Sequence, residues 1–99
     1  MIYHVTTEQQ WQHALSDGFF EEPSLKSEGF IHMCTKEQIA GVLDRYYKNM
    51  ENLLLLHVDE TKLHAELKLE LSASVNQLFP HVYGTINLES VVKTESIQL

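Results

Sequence analysis

The stretch that decides the fold of this chain is residues 28–35, Glu-Gly-Phe-Ile-His-Met-Cys-Thr. Its pattern predicts a short apolar strand over residues 30–34, which carries one histidine and ends at a threonine able to start a helix. The same order recurs in residues 3–7, Tyr-His-Val-Thr-Thr. Equivalent residues of the two copies stand at one common offset, namely His4 and His32, Thr7 and Thr35, Gln10 and Gln38.

In both copies a strand histidine is followed by a Thr-x-x-Gln pattern, which predicts a capping box at a helix N-terminus. We therefore expect His4 and His32 near the carboxyl end of a strand, beside backbone N–H groups that suit an anion. A third histidine, His81, lies in residues 79–84, Phe-Pro-His-Val-Tyr-Gly. The central prediction is that His4, His32 and His81 converge on one cleft.

Composition and charge limit the classes of partner. The 99 residues, 43% hydrophobic and 21% charged, are typical of one globular domain over residues 1–99. Net charge is −7, from 14 acidic and 7 basic residues, and the bases are scattered singly. Such a surface repels a phosphate backbone, so nucleic acid and anionic membranes are disfavoured. Small-molecule phosphates remain candidates, because one cleft can be positive on an acidic protein.

The expected location is the cytoplasm. The single cysteine, Cys34, excludes an intramolecular disulfide and fits a reducing compartment. No signal-peptide pattern opens the chain, and the longest unbroken apolar run, residues 53–56, is far shorter than a membrane span.

Periodicity predicts strands over residues 2–6, 30–34, 53–59, 63–71, 81–86 and 91–99, and helices over residues 8–17 and 36–48. The near-continuous apolar character of residues 53–59 predicts a strand covered on both faces. Residues 63–71 alternate strictly, with leucines at 67, 69 and 71 on one face and charged residues at 66, 68 and 70 on the other, which predicts a half-exposed antiparallel strand. Residues 19–28 and 72–79 are expected to be connections. Two early helices and several late strands favour one compact α+β domain with a mainly antiparallel sheet.

Residues 2–6, 28–32, Gln38 and residues 79–84 together resemble the domain of unknown function 952 family, in order and spacing, over nearly the whole chain. That family is similar in fold to the ADP-ribosyltransferases and is grouped with them as a candidate NAD-handling branch. The resemblance therefore implies an ADP-ribosyltransferase-like fold. One departure from the family pattern is Leu69, which precedes Glu70 where a tryptophan is frequent.

The resemblance also implies roles for particular residues. His4 would hold the adenine-side ribose of NAD, with Thr6 on the same strand face, and His32 would lie near the nicotinamide end. Glu70 would be the late-strand acid that holds a ribose hydroxyl and favours an oxocarbenium-like transition state. The alternative for each histidine is a core residue satisfied by the backbone, and for Glu70 a place on a solvated face.

His81 and Tyr83 share a face of any extended segment, and Tyr83 could stack on a base and donate its hydroxyl. The alternative is a turn anchored by a buried tyrosine.

Glu28 is a candidate to orient a histidine. Cys34 shares the predicted face of His32 and is either a nucleophile with a lowered pKa or a small buried residue. Arg45 is expected to be a surface residue rather than a phosphate ligand.

Three functions follow from this reading. The first is binding of NAD or a related nucleotide through the three-histidine cleft, with transfer or hydrolysis at the ribosyl bond. The second is a non-catalytic module for a small anionic ligand. The third is a metallohydrolase, because three imidazoles with one open position make a hydrolytic zinc site. No close His-x-x-x-His pair occurs among the three histidines, so no metal is expected.

Overall fold

Eight β-strands and three α-helices make up the computed structural model, which describes residues 1–98. The strands are β1 Ile2–Thr7, β2 Phe19–Phe20, β3 Ile31–His32, β4 Leu53–Val58, β5 Glu66–Ser72, β6 Gln77–Tyr83, β7 Ile86–Asn87 and β8 Val91–Ile97. The helices are α1 Glu8–Asp17, α2 Ser24–Ser27 and α3 Ile39–Tyr46. Short 3-10 turns occupy Lys36–Gln38, Glu60–Lys62 and Leu88–Ser90. Each helix in this part of the chain is too short or too polar to cross a membrane.

The strands form three antiparallel sheets. Strand order is β1-β4-β8 in the first sheet, β3-β6-β5 in the second and β2-β7 in a small third one. The first two sheets meet where Tyr3 and Cys34 exchange a pair of backbone hydrogen bonds, each 2.8 Å long. This arrangement confirms the predicted α+β class and the mainly antiparallel pairing.

Strand β4 is covered on both faces, as its apolar run predicts. On one face Leu56 and Val58 join the larger core cluster with Phe20 and Ile31, against which α1 also packs. On the other face Leu53 and Leu55 join a second cluster with α3; its helical members are Ile39, Val42 and Leu43. The β1–β4 pair is therefore the central layer between two helices.

The predicted capping box is complete at Thr35, whereas at Thr7 only the threonine half of the box is present. The Thr7 hydroxyl accepts the Gln10 N–H at 3.1 Å and starts α1, and Gly18 ends it with a left-handed φ of 90°. In the second copy the Gln38 Oε1 accepts the Thr35 N–H at 2.9 Å. The residues that follow Thr35 first form the 3-10 turn, so α3 is shorter than the predicted helix over residues 36–48.

Several predicted boundaries are wrong. The segment predicted as a loop contains β2 and the short α2, so there are three α-helices rather than two. Strand β6 begins inside the predicted connection, because β5 and β6 pair out to Ser72 and Gln77 around a four-residue turn over residues 73–76. The predicted last strand is β8; its final predicted residue, Leu99, lies outside the described residues.

The alternation in β5 is real, but its apolar face is only partly buried. Leu67 packs against the larger core cluster, whereas Leu69 and Leu71 are 65% and 61% exposed. Leu78, paired with Leu71 on β6, is exposed as well. Glu70 lies on the opposite face, is 38% exposed, and makes hydrogen bonds with His81 and Tyr83 there.

Candidate functional site

A cavity of about 540 Å³ lies beside β1, between α3 and the segment that follows β3. Its size falls in the range of small-molecule sites, roughly 300–1,000 Å³. The polar part of its wall consists of His4, His32, His81, Glu22 and Ser72. Most of the remaining wall is aromatic or aliphatic: Tyr3, Val5, Met33, Cys34, Val42, Tyr46, Tyr47 and Phe79. The structure thus brings the three predicted histidines to one cavity.

Both ring nitrogens of His4 are engaged inside the protein. Nδ1 lies 2.6 Å from the backbone oxygen of His32, and Nε2 lies 2.9 Å from Glu22 Oε2. Because a carbonyl oxygen only accepts, Nδ1 donates to it, and a proton lies between Nε2 and the Glu22 carboxyl group. His4 therefore ties β1 to β3 and presents no unoccupied nitrogen to the cavity.

Glu22 is a site residue that the sequence reasoning missed. It stands between β2 and α2, and its side chain is only 14% exposed beside the 4% exposed His4. Burial acts to raise the pKa of the Glu22 carboxyl group, but the hydrogen bond to His4 and the charges of His4 and His32 lower that pKa overall. No periodic signal marks Glu22; the nearest hint is its place between two phenylalanines and Pro23.

His32 lies at the exposed rim of the cavity. Its Nε2 is 2.9 Å from Glu28 Oε2, and the two side chains are 51% and 49% exposed. The suggestion that Glu28 orients a histidine thus matches the observed contact. Cross-strand pairing of β3 with β6 sets His32 opposite His81, with ring centres 5.2 Å apart.

His81 is held by a carboxylate on the neighbouring strand. Its Nδ1 lies 2.8 Å from Glu70 Oε1, and the Tyr83 hydroxyl donates to the same oxygen. These two hydrogen bonds lower the pKa of Glu70, and the bond to Glu70 raises the pKa of Tyr83. The Phe30 ring stacks on the imidazole, with centres 4.0 Å apart and planes 18° apart. Each cavity histidine thus has its own glutamate partner.

Three predicted residues lie away from the cavity wall. Thr6 is buried, and its hydroxyl donates to Gln10 Oε1 at 2.8 Å. Glu70 and Tyr83 do not line the wall and are linked to His81 by the hydrogen bonds of Glu70. Arg45 is exposed, as predicted, with its guanidinium 5.7 Å from the Tyr46 ring centre.

The geometry does not support Cys34 as a nucleophile or the described residues as a metal site. Burial raises the pKa of Cys34 to about 11, so its thiol stays protonated and unreactive. Burial also raises the pKa of Tyr47 to about 12. Within residues 1–98, no group of three histidine, cysteine, aspartate or glutamate side chains is arranged to hold a metal ion.

Residues 5–94 match the family described as "Protein of unknown function (DUF952)". The chain belongs to the DUF952 family. No curated protein matches it. Among solved structures, this DUF952 chain is similar to the crystal structure of protein CC0527 from Caulobacter crescentus, with 29% identity and a TM-score of 0.90 over 99% of this chain and 86% of that one. The solution NMR structure of CC0527 gives 29% identity and a TM-score of 0.84 over 99% and 84% of the two chains. The resemblance read from the sequence is thereby confirmed at the level of the family.

Proposed function

We propose that the cavity binds NAD or a related ribose-containing nucleotide and that the protein acts at the ribosyl bond, by transfer or hydrolysis, in an ADP-ribosyltransferase-like arrangement. This proposal rests on the composition of the cavity wall, which has a polar part and an aromatic part. Imidazoles and a carboxylate form its polar part, and tyrosine and phenylalanine rings form much of the rest. A flat base can stack on such rings while ribose hydroxyls hydrogen bond to the polar groups.

The charges of the wall limit which part of the nucleotide fits inside. Among the described residues that line the cavity, none is a lysine or arginine. Each histidine there already faces a glutamate. A diphosphate would meet no strong cation in the interior. We therefore place one ribose and its base inside the cavity and the phosphates outside, next to the half-exposed His32.

The role assigned to His4 changes, because both of its ring nitrogens already have partners. A ribose hydroxyl cannot bond to His4 without displacing one of its two present partners. Glu22 still offers carboxylate lone pairs, because an ionised carboxylate accepts about four hydrogen bonds. In this proposal Glu22 receives the ribose hydroxyl, and His4 orients Glu22.

Calorimetric titration tests the binding step. Nicotinamide riboside, NAD and ADP-ribose should bind the wild-type protein, and inorganic pyrophosphate should not. His32→Ala should weaken NAD binding about tenfold, the loss expected for one hydrogen bond to a charged group. The matched control is His57→Ala, because His57 also contacts a glutamate at 2.9 Å but does not line the cavity. Absence of heat with all three ribosides refutes the proposal.

A second candidate is a binding module without catalysis, which recognises a small anionic ligand. One observation favours it: Glu70, the acid that a transferase needs at the ribose, lies off the cavity wall and is engaged by His81 and Tyr83. Long incubation with NAD, followed by chromatography for free nicotinamide, separates the two candidates. Binding without any product supports the module, and release of nicotinamide supports the enzyme.

A further inference from the structure

One ring nitrogen of His81 is hydrogen bonded to a carboxylate and the other is open. Nδ1 contacts Glu70, whereas Nε2 has no hydrogen-bond partner within residues 1–98. No fully buried polar side-chain atom in that part of the chain lacks a partner, so Nε2 must reach accessible space. Since His81 lines the cavity and its side chain is only 10% exposed, we assign that space to the cavity.

The contacts of Glu70 decide which nitrogen of His81 carries the proton. The Tyr83 hydroxyl donates to the Glu70 oxygen that faces Nδ1, which stabilises the ionised carboxylate. An ionised carboxylate only accepts, so Nδ1 carries a proton, and in the neutral form of the His81 ring Nε2 is the unprotonated nitrogen. The lone pair of the imidazole then lies on Nε2 and is directed at the cavity.

The ring is also held in orientation. Phe30 stacks on one face of His81, and His32 meets it edge-on, with ring planes 78° apart. Strand pairing places Glu70 beside this site, because residue 70 is opposite Phe79 and Lys68 is opposite His81. A fixed ring with a fixed tautomer is what a general base requires before substrate arrives.

We propose that His81 Nε2 is the general base of this site and that Glu70 and Tyr83 are positioning residues that act through His81. The inference rests on the proposed function and adds a role for Glu70, which does not touch the ribose and acts through His81. The assignment differs from that implied by the family resemblance, in which the glutamate holds a ribose hydroxyl directly.

The chemical step balances with water or an acceptor hydroxyl as co-reactant. The oxygen of water forms a bond to the ribose C1′, and the bond from C1′ to the nicotinamide nitrogen breaks. The electron pair of that bond goes to the nitrogen, which turns a cationic ring into neutral nicotinamide. The leaving group therefore needs no proton, and the proton lost by water moves to His81 Nε2. The site consequently needs a base and no acid.

Nitrogen NMR of the histidine rings tests the positioning without substrate. Long-range correlations in the wild-type protein should show His81 protonated at Nδ1 and unprotonated at Nε2. Glu70→Ala should produce a tautomer mixture, and Tyr83→Phe a smaller change in the same direction. Glu95→Ala is the control, since Glu95 also contacts a histidine, at Nε2 of His57, outside the cavity. A wild-type His81 protonated at Nε2, or a His81 spectrum unchanged by Glu70→Ala, overturns the inference.

Kinetics then separates this inference from the proposed function. With NAD as substrate, Glu70→Ala should lower kcat roughly 10-fold to 100-fold while the dissociation constant changes less than about twofold, because it misorients a base worth about 10² to 10⁴ in rate. Tyr83→Phe should show a milder loss, and Glu95→Ala none. Failure of the wild type to bind any riboside refutes the proposed function itself. Binding and turnover that are unaffected by Glu70→Ala refute only the role of His81 and its partners.

Discussion

Replacing Glu22 with alanine should destabilise the fold far more than replacing Glu28, although each glutamate lies 2.9 Å from a histidine. The two pairs differ in burial. The side chains of His4 and Glu22 are 4% and 14% exposed, whereas those of His32 and Glu28 are 51% and 49% exposed. Comparing the two variants therefore shows how solvent exposure changes the contribution of a histidine–glutamate pair to stability.

The expected magnitudes follow from this burial. Glu22→Ala removes the partner of Nε2 on His4, whose side chain is only 4% exposed. Breaking a buried pair costs about 3–5 kcal/mol, and the slight exposure of Glu22 argues for the low end, about 3 kcal/mol. Glu28→Ala should change the free energy of unfolding by at most about 0.5 kcal/mol, because water replaces the lost partner.

Urea unfolding followed by fluorescence provides the assay. Trp11 is the single tryptophan and packs against the larger core cluster, so its emission reports loss of that packing. Glu21→Gln, next to Glu22 in sequence and exposed, serves as a control for removing one negative charge. Equal losses for Glu22→Ala and Glu28→Ala would refute the reasoning.

The pH dependence of the Glu22→Ala effect follows from the same contacts. Folding lowers the pKa of Glu22 below its ordinary value of 4.5. The folded state therefore binds that proton more weakly than the unfolded state, and the stabilisation is fully present above about pH 4.5. It is lost as the pH falls through the lower folded value. The stability difference between wild type and Glu22→Ala should accordingly narrow on acidification below that pH.

Three further predictions concern packing and reactivity. Gly84→Ala should cost about 1–3 kcal/mol in urea unfolding, because Gly84 has φ +155° and a new Cβ would lie 2.9 Å from the Ala65 Cβ; a neutral effect contradicts this. Leu56→Ala should cost about 3 kcal/mol and Leu69→Ala less than about 0.5 kcal/mol by the same assay, since Leu56 is fully buried and Leu69 is 65% exposed; comparable losses contradict the burial argument. Cys34, buried and with its pKa raised to about 11, should react with a thiol reagent at neutral pH only on unfolding; rapid labelling of the folded protein contradicts this.

Local patterns were enough to predict the elements near the first two histidines. The alternation of side chains along a strand places His4 on the inner face of β1. The Thr-x-x-Gln pattern marks the starts of both helical segments. These signals work because caps and strand faces depend on residues within a few positions. The convergence of the two histidines follows from the bond between the His4 ring and the His32 carbonyl.

The partners of those histidines could not be predicted in the same way. Glu22 reaches His4 because β2 pairs with β7, a contact between segments far apart in the chain. Glu70 reaches His81 because of the register in which β5 pairs with β6. The alternation of residues along one strand does not reveal this register, nor which face of the strand packs against the rest of the protein. Leu69 and Leu71 look like core residues by alternation and yet are exposed at the end of that hairpin.

The junction between the two larger sheets offers a way to detect a bound ligand. Tyr3 and Cys34 exchange two backbone bonds there, and the His4 ring adds a third bond across the same seam. Tyr3, His4 and Cys34 also line the cavity. A ligand bound there would therefore slow deuterium uptake at the Tyr3 and Cys34 amides, so mass spectrometry of these two amides can report occupancy of the cavity by any compound.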